Sequence, residues 1–338
     1  MTARTRYFVI VSLLVLAIGL GTGLVAYYTG FATNAFARRG GPEELQLLPN
    51  TAAVVAYADV HQVMTSDLRQ RVRHAVPRSM EQDGQRQFQE ATGINIETDI
   101  DRVVAAFEAS GRGMPNSAVV IARGRFDETR IEALMRDHGA QVELYKGKRL
   151  ILSDKVSDHG ADAPDTAPDK PNVKRRSLSL AFVEPGLAAF GGSDLVRRAI
   201  DLHNGGGDSI VTNEELMNQV RTLESGNAWA VGRFDALRSN AKLPEAVTNQ
   251  LPPITWFAVS GHVNGGLRGM VRAETRDDES ANNLRDVVRG FLALAKMQAG
   301  SRPEFQALAQ SLELGGTGQT VALSFDIPLQ IFDAFAPK

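Results

Sequence analysis

Six histidines, His61, His74, His138, His159, His203 and His262, are the residues best suited to proton transfer near neutral pH or to metal ligation. No two stand in HxxxH or HExxH spacing, which would place both rings on one helix face, so a zinc site of the metalloprotease kind lacks its geometry. His138 continues the apolar spacing of Ile131, Leu134 and Met135 and reads as a helix-end packing residue, whereas His262 falls on an expected strand. Ser239-Asn240-Ala241-Lys242 matches the SxxK spacing of penicillin-binding enzymes, without their Ser-Asp-Asn and Lys-Thr-Gly elements. Gly191-Gly192-Ser193-Asp194 lacks the closing glycine of a nucleophile elbow, and Ser193 or Asp194 is suited to capping the helix that follows. Gly205-Gly206-Gly207-Asp208 comes after a helical stretch, where glycine ends helices, while a phosphate-cradling loop would precede one and carry a Lys-Ser or Lys-Thr pair. Asp99-Ile100-Asp101 and Asp277-Asp278-Glu279 lack the alternation and glycine of a calcium loop. The chain has no cysteine, which excludes disulfides, thiolate zinc sites, iron–sulfur clusters and a cysteine nucleophile. These patterns assign no catalytic, metal-binding or cofactor-binding residue, and no cofactor is expected.

The elements that would position such residues follow from periodicity. A β-rich run, an Asp and a helical stretch recur at Ala53–Asp59, Val119–Asp127 and Trp229–Asp235, the last two sharing Gly-Arg-Phe-Asp. Asp at a helix start accepts bonds from free backbone N–H groups, so N-capping accounts for the recurrence. Leu284, Val287, Val288, Phe291, Leu292 and Ala295 make a helical stripe opposite Arg285, Asp286 and Arg289, and Leu195, Val196, Ala199 and Ile200 make another. Turn signals at Lys146-Gly147, Glu184-Pro185-Gly186, Asn264-Gly265 and Gly315-Gly316 favour antiparallel pairing. Two stretches share the order strand, helix, hairpin, helix, hairpin, helix, joined by a helix near Asn213–Leu223. The expected fold class is therefore α+β, an N-terminal transmembrane helix followed by a duplicated antiparallel-sheet-plus-helices domain. Its expected parts are a cytoplasmic stub and transmembrane helix over 1–31, a tether over 32–46, and α+β halves over 47–210 and 211–338. Asp154–Arg176, rich in Asp, Pro and Ala, reads as a flexible insertion in the first half.

The expected membrane anchor rests on the absence of charge between Arg6 and Arg38 and on the apolar run Phe8–Tyr28, which includes Leu13, Leu16 and Leu20. Such a run, at about 1.5 Å per residue, matches the roughly 30 Å hydrocarbon core of a bilayer. Arg4 and Arg6 place the N-terminus inside, which predicts a single-pass bacterial inner-membrane protein with a periplasmic C-terminal domain. Ala35-Phe36-Ala37 has the form of a signal-peptide cleavage site, the competing reading. Gly19 and Gly23 form a GxxxG pair, a possible helix–helix contact for a homodimer. Hydrophobic residues at 43% and charged residues at 22% are ordinary globular usage. Overall 37 basic residues face 39 acidic ones, and leaving out Arg4 and Arg6 makes the remainder −4, so no nucleic-acid partner is expected.

Leu48-Pro49 with Tyr57-Ala58-Asp59-Val60, and Thr92-Gly93-Ile94 with Asp99-Ile100-Asp101, resemble segments of uncharacterised bacterial membrane-anchored proteins over about residues 45–130. The resemblance implies an envelope setting and transfers no functional residue. The function expected from the sequence is a non-enzymatic envelope module that binds a protein, peptide or small ligand. Two other classes remain open: an envelope hydrolase in which His262 or Ser239 meets a carboxylate, and a lipid carrier with an apolar groove between the halves.

Overall fold

The computed structural model describes residues 42–69, 89–90, 92–109, 117–153, 178–223, 226–236, 251–263, 265–299 and 303–333. In chain order, a 3-10 turn at Glu43–Leu47 precedes β1 (Val54–Ala58), α1 (Val60–Met64), α2 (Ile96–Asp99), β2 (Ile100–Phe107) and β3 (Ala118–Gly124). Then come α3 (Glu128–Asp137), β4 (Gln141–Tyr145), β5 (Lys148–Ser153), β6 (Leu178–Glu184), β7 (Leu187–Gly192), α4 (Ser193–His203), a 3-10 turn at Ile210–Thr212 and α5 (Glu214–Arg221). The remainder is β8 (Ala228–Arg233), β9 (Ile254–His262), β10 (Gly266–Thr275), α6 (Asp278–Ala299), α7 (Pro303–Gln310), β11 (Leu312–Gly315), β12 (Thr320–Pro328) and α8 (Leu329–Asp333).

All twelve strands belong to one antiparallel sheet, in the order β11-β12-β10-β9-β8-β1-β2-β3-β7-β6-β5-β4. The meanders β1-β2-β3 and β8-β9-β10 meet where β1 pairs β8, centred on Ala56 opposite Ala230. One row of directly opposed residues crosses every strand: Leu314, Leu323, Val271, Val259, Ala230, Ala56, Ala105, Val120, Phe190, Leu180, Ile151 and Val142. Directly opposed residues share a face, so this face is apolar from edge to edge. Helices α1, α2 and α3 cover its β1–β6 part through Val60, Ile96 and Ile131, and α6, α7 and α8 cover the β10–β12 part through Leu284, Leu308 and Ile331. On the opposite face Val55, Tyr57, Val104, Ile121, Trp229 and Val231 lie under the Glu43–Leu47 turn, α4 and α5, which add Leu45, Leu195, Val196, Ile200, Leu216 and Met217.

The joint itself is tight. Tyr57 and Trp229, adjacent across β1 and β8, are 1% and 2% exposed and stack at 5.8 Å between ring centroids. A Cβ on Gly232 would lie 2.7 Å from the Ala53 carbonyl oxygen and 2.8 Å from Val54 Cα, so only glycine lets the strands approach there.

Two expectations are corrected. The sheet is continuous, so the halves do not carry separate sheets: once β1 and β8 pair, neither meander keeps a free inner edge. Among the described residues no helix is long and apolar enough to cross a membrane. The longest described helix, α6, carries Asp278, Glu279, Arg285, Asp286, Arg289 and Lys296, charges that a hydrocarbon core disfavours. The fold class, the single-pass anchor and the inner-membrane, periplasmic placement are overturned on that finding. Phe8, Leu13, Leu16, Gly19, Leu20, Gly23 and Tyr28 lie outside the described residues, as does the 154–176 insertion.

Gly232→Ala is expected to lower stability by about 1–3 kcal/mol in urea denaturation, through the forced shift of β1. Gly261→Ala, where an added Cβ meets nothing within 4 Å, is expected to stay within about 0.5 kcal/mol of the parent. Equal effects at the two positions would contradict this packing of the joint.

Candidate functional site

Arg102 at the start of β2 and Arg123 near the end of β3 are cross-strand partners whose side chains share the Tyr57 face. The Glu43–Leu47 turn presses Glu44 between them. Arg102 Nε donates to Glu44 Oε1 at 2.8 Å and Arg123 Nε donates to the same oxygen at 2.6 Å. Glu44 is 2% exposed, and its Oε2 has no hydrogen-bond partner among the described residues. Arg123 Nη1 and Nη2 both reach Glu184 Oε1 at 3.3 Å, at the end of β6. Burial alone would push the Arg123 guanidinium down, but its bonds to Glu44 and Glu184 hold it above the ordinary arginine value. Two guanidinium groups from neighbouring strands converge on one oxygen of the buried Glu44, so the cluster is a clamp tying the turn to the sheet.

Glu184 also lines an open groove of about 620 Å³ between α3 and the β5–β6 end of the helix-covered face. That volume lies within the range typical of ligand pockets. The wall on α3 carries Glu128, Glu132, Arg136 and Asp137, the hairpin side carries Lys148 and Arg149, and Phe182 contributes an apolar patch. Glu132 Oε1 accepts from Arg149 Nη2 and from Arg136 Nε, the latter at 3.1 Å, which fixes α3 over the strands. Asp127 caps α3 by accepting from Arg130 N at 3.0 Å, and Ile131 roots the helix in the core at 2% exposure. At the near edge Leu144 of β4 is 73% exposed.

The residues weighed for chemistry are scattered. Asp59 and Asp127 cap α1 and α3, Asp277 caps α6 through Ser280 N at 2.7 Å, and Asp99 accepts from Asn95 N at 2.8 Å. Gly192, not Ser193 or Asp194, stands at the N-cap of α4. His138 Nδ1 lies 2.7 Å from the Leu134 carbonyl oxygen as the C-cap of α3, His203 ends α4, and His262 ends β9. Ser239, Lys242, His74 and His159 lie outside the described residues. Among the described residues no group of three or more His, Asp or Glu could hold a metal ion. Sequence reasoning missed Glu44, which falls in the stretch read as a polar tether. The available signal was Leu45, Leu47 and Leu48 around it, an apolar density unlike a tether.

Neither a family model nor a curated protein matches the chain. A solved structure, crystal form I of TP0453, aligns with 9% identity over 87% of this chain and 97% of that one, with a TM-score of 0.48. A likeness of that degree carries no argument about function.

Arg123→Met strands Glu44 with one partner and is expected to cost about 2 kcal/mol or more in denaturant titration. Glu184→Gln, at the exposed end of the same chain of contacts, is expected to cost under about 1 kcal/mol. The reverse order of effects would contradict the reading of Glu44 as the buried centre of the clamp.

Proposed function

We propose that the chain is a non-enzymatic binding module that takes an extended peptide segment of a partner protein in the groove beneath α3. The observation that supports this reading is the groove itself, which carries both signs of charge, Glu128, Glu132, Asp137 and Arg136 on α3 and Lys148, Arg149 and Glu184 on the strand side, with Phe182 among them. Charges of both signs along the groove favour a mixed-charge segment, while an apolar patch supplies affinity. The wall is rigid because α3 is capped, rooted at Ile131 and pinned by the Glu132–Arg149 pair, so little ordering opposes binding. The polar lining disfavours a lipid tail as occupant.

Selection of peptides from a displayed random library against the purified protein is expected to enrich mixed-charge sequences with an aromatic or aliphatic anchor. Their affinity should fall at least tenfold in Thr129→Trp, which fills the groove. Selected peptides that bind Thr129→Trp unchanged, or turnover of ester, peptide or glycoside substrates by the purified protein, would overturn the proposal.

A further inference from the structure

We propose that β4, at one end of the sheet, is a docking edge for an extended segment of a partner protein, which adds as a further antiparallel strand with an apolar residue beside Leu144 and a basic one beside Glu143. Among the described residues β4 pairs with β5 alone. Tyr145 and Lys148 close the two-residue turn and therefore exchange backbone hydrogen bonds, so alternation turns the N–H and C=O groups of Val142 and Leu144 outward, away from β5. The Leu144 side chain is 73% exposed, so one residue presents both an apolar side chain and outward backbone groups. An edge of that kind is a template for strand pairing. It is also held ready. Arg197 of α4 donates to Glu143 Oε2 at 2.8 Å, Tyr145 OH donates to Asp201 Oδ1 at 3.2 Å, and Lys146 Nζ reaches the same oxygen at 2.6 Å. These contacts fix β4 on α4, whose Leu195, Val196 and Ile200 are buried, so little ordering opposes an incoming strand.

Charge decides which strand fits. Val142 and Leu314 share the helix-covered face, so Glu143 and Glu313, each one residue away, lie on the other face near the middle of the two edge strands β4 and β11. A second copy docking head to tail with faces aligned would match Leu144 with Leu312 and Val142 with Leu314, but would set Glu143 against Glu313. A two-fold pairing of β4 with β4 in full register would set Glu143 against its own copy. Like charges directly opposite destabilise a sheet, so both edges discourage copies of this chain. The β11 edge is otherwise ill suited: it has four residues, packs against α6 and α7, and keeps Leu312 and Leu314 half-buried. A strand from another protein with Lys or Arg at the central position removes the conflict. Apolar residues on either side of that cation then fall on the face of Leu144 and Val142. This surface is separate from the groove beneath α3 and does not rest on the reading of that groove.

The probe is a synthetic peptide, acetyl-Ser-Thr-Val-Lys-Val-Thr-Ser-amide, added to the full chain. Hydrogen exchange read by mass spectrometry is expected to slow at least fivefold over 141–145, while fluorescence anisotropy of the labelled peptide follows its affinity. The peptide with Glu in place of Lys is expected to bind at least threefold more weakly. N-methylation of both Val residues removes the N–H groups that face β4 and is expected to abolish binding, a control that leaves the protein unaltered. Leu144→Pro, which removes an outward N–H, is expected to do the same, and Thr129→Trp to leave the affinity unchanged. Absence of binding at millimolar peptide, equal affinity of the N-methylated peptide, or protection that falls elsewhere than 141–145 would overturn the proposal. So would sedimentation showing an oligomer that Leu144→Pro dissociates, since a second copy would then hold the edge.

Discussion

The pairing of β1 with β8 is the constraint on which the rest of the structure depends. Five residue pairs, from Val54–Gly232 to Ala58–Ala228, turn two three-stranded meanders into the middle of one sheet. Each meander alone would expose a strand edge carrying unpaired backbone groups beside large apolar side chains, an arrangement prone to association. The pairing removes both edges and brings Tyr57 onto Trp229, where stacking and burial reinforce the same register. A slip by one residue would part Tyr57 from Trp229 and bring large rings where Ala56 and Ala230 leave room only for methyl groups, so side-chain size favours one alignment.

Around that joint, polar features are arranged by distance from it. Nearest is Asp59 with Asn227, buried and shared by both meanders. Farther along the same end of the sheet lies the Glu44 clamp, whose two arginines come from β2 and β3. Its outermost carboxylate, Glu184, faces the groove beneath α3. The clamp is weak as a net source of stability, because desolvating three charges offsets much of their attraction, yet it penalises any displacement of the Glu43–Leu47 turn.

Local patterns in the sequence carried the positions of most strands and helices. Ala53–Asp59 became β1 with its capping Asp, Lys146-Gly147 became the two-residue turn with both residues at positive φ, and the stripe from Leu195 to Ile200 became the buried face of α4. Partner choice was not legible. Alternation shows which side of a strand is buried but not which strand lies beside it, so two meanders read equally well as two sheets or as one. The groove was hidden for a related reason: Glu132, Arg149 and Glu184 are each ordinary surface residues, and only tertiary contact makes them a site. The charge-free run at Phe8–Tyr28 dominated the sequence-based reading of location, while the described fold offers no membrane-crossing helix to support it.

The claim that one sheet unites the chain through β1 and β8 is tested most directly by following urea unfolding with two probes at once. The chain's two tryptophans, Trp229 and Trp256, lie on β8 and β9, so their fluorescence reports the joint, whereas far-ultraviolet circular dichroism reports the whole sheet. Coincident transitions with a single midpoint are the expected result, as for one cooperative unit. Fluorescence and circular dichroism that separate into two transitions would show that the meanders fold apart and would contradict the account.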